Sequence, residues 1–174
     1  MSFFPLVSKD FKVPTRVERP GFTVVPLTMD RFAIDFAAYS SSVEHLQATY
    51  SVDEELSAGP GLVWPAGVTI RMALLDAAYC EMAFQLRVQF AYQVLDPSEA
   101  RQRGCVYLFP TIRRGYEAEA RMWVTHDELM NGFDAELTTW FRDWVSDVWP
   151  FREVAWPGRD IPWDEWLKLP LKDR

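Results

Sequence analysis

The clearest periodic pattern of apolar residues lies in the second half of the chain. After the turn residues Asn131 and Gly132, the apolar positions fall three and four apart, and they are Phe133, Leu137, Trp140, Phe141, Trp144 and Val148. This spacing places the side chains on one face of an α-helix. Proline lacks a backbone N–H and stops a helix, so Trp149-Pro150 marks its end. The pattern predicts an amphipathic helix over 135–148.

Three runs of β-type residues precede this helix. They cover 89–95, 104–110 and 117–125, and turn-forming residues separate them. In the third run, alternation places Ala118, Ala120, Met122 and Val124 on one face and Glu117, Glu119, Arg121 and Trp123 on the other. The runs predict an antiparallel meander whose last strand has one apolar and one polar face.

The first half of the chain predicts shorter elements. Residues 1–20 are rich in proline and charge and predict an extended arm. A strand over 22–26 leads to Thr28, which we expect to cap a helix over 29–38.

Several further elements complete the pattern. They are a helix over 43–50 with Ser42 as a candidate cap, a loop at 57–61, a helix from Thr69 to about Leu86, a strand over 151–156 and a helical turn over 164–167. This order predicts a single α+β domain over 21–174.

Composition and charge exclude several classes of function. The 174 residues are 49% apolar, with 12 Phe, 8 Trp and 6 Tyr, which is enough for one well-packed core. A net charge of -7 argues against a nucleic-acid partner, because such proteins neutralise phosphates. The sequence shows neither a secretory signal nor an apolar run of membrane-spanning length. We therefore expect a cytoplasmic protein that binds neither nucleic acid nor membrane.

The residues that could bind a metal or form a disulfide are few. Cys80 and Cys105 lie far apart in sequence and predict reduced, buried thiols. His45 and His126 are also far apart, so no zinc-ligand cluster is recognisable and no metal is expected.

The order of these elements resembles that of the GNAT superfamily of acyl-CoA-dependent N-acetyltransferases. The segments that carry the likeness are 90–96, 103–108, 118–124, the turn at Gly132 and 149–154, and the match in topology spans about 21–166. The resemblance implies a three-layer fold, in which a mixed, mostly antiparallel twisted sheet is flanked by helices. It also implies transfer of an acetyl group from acetyl-CoA to a small amine.

The resemblance assigns the cofactor to the junction between the third strand and the amphipathic helix. In the family the sheet splays beside this strand, and the pantetheine arm pairs with exposed backbone, here that of Met122, Trp123 and Val124. A loop of the pattern Arg/Gln-x-x-Gly-x-Gly/Ala then wraps the pyrophosphate with backbone N–H groups at the helix N-terminus. The residues in the corresponding positions of this chain are Gly132, Phe133, Asp134 and Ala135.

Two residues of this loop depart from the family pattern. Aligned on Gly132, the chain has Leu129 in place of Arg or Gln and Asp134 in place of Gly or Ala. Asp134 either opposes a phosphate group or caps the helix. An active enzyme with a variant loop and an inactive GNAT-fold protein that binds a ligand or partner both fit this sequence.

Glu117 and Glu119 are the candidate catalytic bases. They share one face of the strand two residues apart, and their mutual repulsion would raise the pKa of one carboxyl. In many relatives a tyrosine after the next strand protonates the leaving thiolate, but no tyrosine follows Tyr116. His126 is a further candidate, as a base or a phosphate contact.

Other features bear on phosphate binding and on the acceptor. The candidate cations are Arg113, Arg114, Arg142, Arg152 and Arg159. Three tryptophans interleaved with proline and carboxylates, Trp156, Trp163 and Trp166, are typical of a pocket wall or the edge of a core. The acceptor side of the family is longer after Trp156, so here it is either shortened or completed by a second copy in a homodimer.

Overall fold

A six-stranded sheet forms the centre of the computed structural model, which describes residues 4–50, 57–59 and 62–172. Its strands are β1 (Val17–Arg19), β2 (Phe22–Pro26), β5 (Phe90–Leu95), β6 (Gln102–Pro110), β7 (Ala118–Val124) and β8 (Val154–Ala155). Neighbours follow the order β1-β2-β5-β6-β7-β8, and all pairs are antiparallel except the parallel pair β7–β8. The predicted meander is confirmed.

A two-stranded hairpin stands apart from this sheet. It consists of β3 (Ser57–Gly59) and β4 (Leu62–Val63). The sequence predicted a loop at 57–61, but its first three residues form a strand. Pro60 and Gly61 lie outside the described residues.

Six α-helices accompany the sheet in the described part of the chain. They are α1 (Phe32–Ser40), α2 (Val43–Tyr50), α3 (Ile70–Gln85), α4 (His126–Met130), α5 (Phe133–Val148) and α6 (Trp163–Trp166). Thr69 caps α3, since its side chain accepts the N–H of Met72. None of the described helices is both long and apolar enough to span a bilayer.

One predicted cap is wrong. A 3₁₀ turn over Met29–Arg31 precedes α1, and the hydroxyl of Thr28 bonds to the carboxylate of Asp30 instead of capping a helix. The hydroxyl of Ser42 accepts the backbone N–H of His126, which joins the start of α2 to the end of β7. The partner of the Thr28 hydroxyl is two residues away, whereas that of the Ser42 hydroxyl lies on a distant segment.

The two faces of β7 pack against different layers of helices. Ala120, Met122 and Val124 lie in a core with the apolar face of α5. Trp123, on the opposite face, packs with residues of α1, α2 and α3. The alternation along β7 and the three-layer arrangement therefore match the expectations from sequence.

The sheet splays at its β8 edge. The parallel pairing joins only Ala118 to Val154 and Glu119 to Ala155. The strand predicted over 151–156 is shorter than expected, because Pro157 has no N–H to extend the ladder and Gly158 turns the chain away with φ of +76°. Beyond Glu119, no described strand pairs with this edge of β7.

The arm that precedes β2 lies on the domain. Leu6 donates its N–H to the carbonyl of Arg87, Val7 is buried, and the Tyr92 hydroxyl donates to the carbonyl of Pro14 at 2.8 Å. Its last residues form β1 and pair with β2. The described part of the arm thus covers one side of the core.

Candidate functional site

Along the open edge of β7, alternate residues direct their backbone groups away from β6. Thr125 donates its N–H to the carbonyl of Arg103 on the β6 side at 3.0 Å. Because hydrogen-bonded pairs alternate along an antiparallel ladder, Trp123 also directs its backbone groups toward β6, whereas Met122 and Val124 direct theirs to the open edge. The Tyr50 hydroxyl, which donates to the Met122 carbonyl at 2.8 Å, agrees with this assignment.

This alternation refines the expectation that three consecutive residues present their backbone to a cofactor. Met122 and Val124 lie in position to do so. Trp123 serves packing, since its ring lies 5.8 Å from that of Trp64 and its indole N–H donates to the Tyr107 hydroxyl at 3.0 Å.

A cavity of about 210 Å³ lies beside the open edge. One wall comes from α2 through His45, Thr49 and Tyr50, and the floor comes from residues 120–122 of β7. The opposite wall consists of residues 157–159 and Trp163. The cavity therefore fills the gap that the divergence of β7 and β8 creates.

Trp163 forms an aromatic wall of this cavity together with Tyr50. Their ring centroids are 6.1 Å apart, and the Trp163 indole N–H donates to the carbonyl of Thr49 at 3.0 Å. Gly158 lies so close that a Cβ there would stand 2.5 Å from Trp163 Nε1. The tryptophan-rich segment near the C-terminus thus contributes a pocket wall, as its composition indicated.

The first turn of α5 closes one end of the cavity. Gly132 precedes the helix with φ of +80°, a left-handed conformation that favours glycine. The prediction that Asp134 caps the helix is wrong, because Gly132 occupies that position and Asp134 is the second helical residue. The Asp134 carboxylate instead accepts two hydrogen bonds from Arg159, at 2.8 and 3.0 Å. Leu129 lines the same cavity.

A buried ion cluster fixes the loop that leads to Gly132. Glu128 on α4 is 2% exposed and accepts hydrogen bonds from Arg103 at 2.6 Å and Arg101 at 2.8 Å. Burial alone would raise the pKa of Glu128, but these two guanidinium groups outweigh it and lower the pKa. Arg103 also stacks on the ring of Phe133, 3.5 Å from its centroid. Short helix α4, which the sequence did not predict, is thereby tied to β6 and α5.

The two predicted catalytic carboxylates have different surroundings. Glu117 is exposed and accepts the backbone N–H groups of Arg152 and Glu153, which lower its pKa. The expected upward shift from repulsion between the carboxylates is therefore wrong for Glu117. Glu119 is buried and pairs with Arg121 at 2.6 Å, and Arg121 lines the cavity. Glu119 is thus separated from the cavity by a single ion pair.

His45 is a site residue that sequence reasoning did not identify. Burial lowers its pKa, as does the neighbouring His126, while a hydrogen bond to the backbone of Val124 and the charge of Asp134 oppose this. The net shift is downward, so the imidazole is neutral at pH 7 and can accept a proton. The rings of His45 and His126 are 6.2 Å apart. Within the described residues, no cluster of three or more His, Cys, Asp or Glu could hold a metal ion.

The remaining candidate residues lie elsewhere. Arg113 and Arg114 donate to the carbonyls of Leu169 and Leu171 and hold the C-terminal segment. Arg142 pairs with Asp160 at 2.6 Å, and Arg152 is exposed. Among the five candidate cations, Arg159 is the one that lines the cavity.

Cys105 does not suit nucleophilic catalysis. It is fully buried, its thiol donates to the carbonyl of Tyr92, and burial raises its pKa well above the ordinary value.

Comparison with known proteins extends this description. Neither a protein-family model nor a curated protein sequence matches the chain, but solved structures do. The ribosomal-protein-S5-alanine acetyltransferase of Vibrio fischeri is similar with a TM-score of 0.55 and 12% identity, over 76% of this chain and 67% of its own. A Bordetella pertussis protein assigned to the GNAT acetyltransferases is similar with a TM-score of 0.51 and 19% identity, over 82% of this chain and 78% of its own.

A third similar structure is a chimera of the spermidine N-acetyltransferase SpeG from Vibrio cholerae and hSSAT, with a TM-score of 0.50 and 11% identity, over 78% of this chain and 69% of its own. At these identities the likeness shows the fold alone. The fold predicted from the order of elements is confirmed.

Proposed function

We propose that this chain, which has the fold of the GNAT acetyltransferases, transfers an acetyl group from acetyl-CoA to the nitrogen of a small amine. The observation that carries the proposal is the open edge of β7, which borders a cavity that ends at the first turn of α5. An extended thioester with a phosphate at one end suits this arrangement, because the open edge of β7 lies beside the N-terminus of α5.

The residues of the gap suit the two parts of acetyl-CoA. The backbone N–H groups of Met122 and Val124 at the open edge suit the carbonyls of a pantetheine arm, since such an arm pairs as an added strand would. Their neighbours Tyr50 and His45 already bond to the backbone of Met122 and Val124, respectively. The N–H groups of Phe133, Asp134 and Ala135 begin a helix of 16 residues, and helix N-termini favour phosphate. The Asp134 carboxylate opposes phosphate there, and its ion pair with Arg159 offsets that charge.

The polar face of β7 suits the acceptor. It carries Glu119 and Arg121, and Arg121 lies 5.3 Å from the ring centroid of Trp163. When bound, acetyl-CoA supplies the thioester carbonyl that the amine attacks. An amine must lose a proton to react, so the site needs an acceptor for it. Glu119 and the neutral imidazole of His45 are the candidates, and the Tyr50 hydroxyl is a candidate donor beside Met122.

The similar structures support an amine acceptor. Two of them carry names that specify acetylation, one of a ribosomal protein's alanine and one of spermidine. From these names we apply only the shared acceptor group, a primary amine, to this chain.

An inactive GNAT-fold protein that binds a ligand or partner is the second candidate. The ion pair between Asp134 and Arg159 favours it, because this pair lies where the pyrophosphate of an acyl-CoA would bind. Such a protein would bind through the same cavity and transfer nothing.

Thermal unfolding with and without millimolar acetyl-CoA tests cofactor binding. Binding at 100 times the dissociation constant adds roughly 2.7 kcal/mol to the free energy of unfolding. An unchanged melting temperature argues against acetyl-CoA as the ligand and therefore against the enzyme. If the temperature rises, thiol release measured across a panel of amines separates the enzyme from the binder.

Two further predictions concern the whole protein. They are a cytoplasmic location and self-association into a homodimer. Gel filtration with light scattering measures the oligomeric state directly.

A further inference from the structure

The location of Arg159 in the structure is not evident from the sequence. It follows β8, yet its guanidinium group meets the first turn of α5 and lines the cavity together with Leu129. Leu129 is apolar, so this end of the cavity takes its positive charge from the opposite wall.

The hydrogen bonds of Arg159 are of a kind that a phosphate ligand can replace. Two nitrogens of the guanidinium donate to the two oxygens of Asp134, and one also donates to the Thr138 hydroxyl at 2.9 Å. The side chains of Arg159 and Asp134 are each 25% exposed. Both side chains are thus accessible to a ligand that enters the cavity. A planar guanidinium that binds a carboxylate through two hydrogen bonds binds a phosphate group in the same way.

The segment that carries Arg159 has its own anchor on α5. The adjacent residue Asp160 accepts two hydrogen bonds from Arg142, at 2.6 and 2.8 Å. Trp163 packs against Gly158 on the other side. Arg159 can therefore change its partner while the segment stays in place.

Among the described residues that line the cavity, the charges leave this role to Arg159. The second arginine in the lining, Arg121, is held by the buried carboxylate of Glu119. His45 is neutral at pH 7, and Asp134 is the one acidic residue in the described part of the lining.

We propose that Arg159 is the cation that binds the phosphate end of the ligand, and that Asp134 is the internal counter-ion which the ligand displaces. The proposal rests on the proposed function, because it takes acyl-CoA as the ligand. Asp134 then sets the affinity by competing with phosphate for the same guanidinium group.

Calorimetric titration of four proteins tests this proposal: the wild type, Arg159→Gln, Asp134→Asn and the control Arg16→Gln. Arg16 also belongs to an exposed ion pair, with Glu18 and Glu99, but lies on the N-terminal arm. The ligands are acetyl-CoA, acetyl-pantetheine, which has no pyrophosphate, and inorganic pyrophosphate. The melting temperature of each variant without ligand verifies folding, and Arg159→Lys retains the charge if the glutamine variant unfolds.

We expect Arg159→Gln to weaken acetyl-CoA binding about tenfold or more, and Asp134→Asn to strengthen it several-fold. Both should leave the dissociation constant for acetyl-pantetheine unchanged, and Arg16→Gln should bind like the wild type. Equal binding of acetyl-CoA by wild type and Arg159→Gln overturns the role of Arg159 while the proposed function stands. Binding of pyrophosphate that depends on Arg159, without binding of acetyl-CoA, supports the cation site and overturns the proposed function. Binding of neither ligand overturns both.

Discussion

The hydroxyl of Tyr50 donates a hydrogen bond of 2.8 Å to the backbone carbonyl of Met122. This contact joins the end of α2 to the open edge of β7, and both residues line the cavity. It satisfies a carbonyl that no described strand pairs with.

Replacement of Tyr50 by phenylalanine tests the importance of this contact. We expect Tyr50→Phe to lower the free energy of unfolding by about 1 kcal/mol, because a buried carbonyl loses its donor. Urea denaturation measures the change. The control is Tyr116→Phe, whose ring contacts Trp166 away from the cavity. Equal stability of Tyr50→Phe and the wild type would show that water replaces the hydroxyl.

The ion cluster around Glu128 should be a main support of the loop before α5. We expect Glu128→Gln to destabilise the protein by about 2–3 kcal/mol, because it leaves Arg103 partly buried without its carboxylate. The exposed Glu136→Gln is the control. The pKa of Glu128 is lower in the folded protein than in the unfolded chain. The ionised carboxylate therefore stabilises the fold above the unfolded pKa, and this stabilisation disappears as pH falls through the folded pKa. A loss of the same size in both variants would contradict this role.

Gly158 and Gly115 form a matched pair for testing the wall of the cavity. Both have positive φ, +76° and +88°, but a Cβ at Gly158 meets the Trp163 ring, whereas one at Gly115 meets nothing within 4 Å. We expect Gly115→Ala to cost about 1 kcal/mol from backbone strain, and Gly158→Ala to cost at least 1 kcal/mol more. Thermal unfolding measures both. Equal costs would mean that Trp163 moves freely.

Asp35 gives the protein a second pH dependence, opposite in sign to that of Glu128. It lies on the buried face of α1 and accepts a hydrogen bond from Gln102. Burial raises its pKa to about 7, despite the opposing effect of that hydrogen bond. The folded state therefore binds the proton more tightly, and stability falls as pH rises from about 4 to 7, by at most about 4 kcal/mol.

Asp35→Asn should remove this slope and raise stability at pH 8. Urea denaturation between pH 4 and 8 measures it, with the exposed Asp143→Asn as the control. An unchanged slope would show that the carboxyl of Asp35 stays hydrated.

The two carboxylates on the polar face of β7 should differ in their effect on transfer. We expect Glu119→Gln to lower kcat about a hundredfold if Glu119 accepts the proton, and Glu117→Gln to have a much smaller effect. Glu117 is engaged by two backbone N–H groups outside the cavity, which makes it a poor base. The dependence of kcat on pH separates loss of a base from loss of structure. A larger effect of Glu117→Gln would reverse this assignment.

The sequence predicted the elements whose patterns are local. The spacing from Phe133 to Val148 and the alternation through Met122 each reflect a single helix or strand packed on one core, so both appear correctly in the fold. Thr69 was read as the start of α3 for the same reason.

The site was less accessible to sequence reasoning because its contacts join distant segments. Tyr50 and His45 come from α2, and Arg159 comes from the segment after β8, yet all three line one cavity. No spacing links them. Asp134 was interpreted as a cap because a carboxylate in the first turn of a helix usually fits that role, whereas a partner beyond the next strand decides its contacts.

The brevity of β8 has a consequence for the motions of the protein. Two residue pairs join it to the sheet, and the segment that follows is held to α5 by side chains. Local opening of this segment therefore breaks few backbone hydrogen bonds, and its amides should exchange with deuterium well before those of β5, β6 and β7. The cavity would then open in the native protein when the two ion pairs and the bond from Trp163 to Thr49 break, while the remainder of the sheet stays closed.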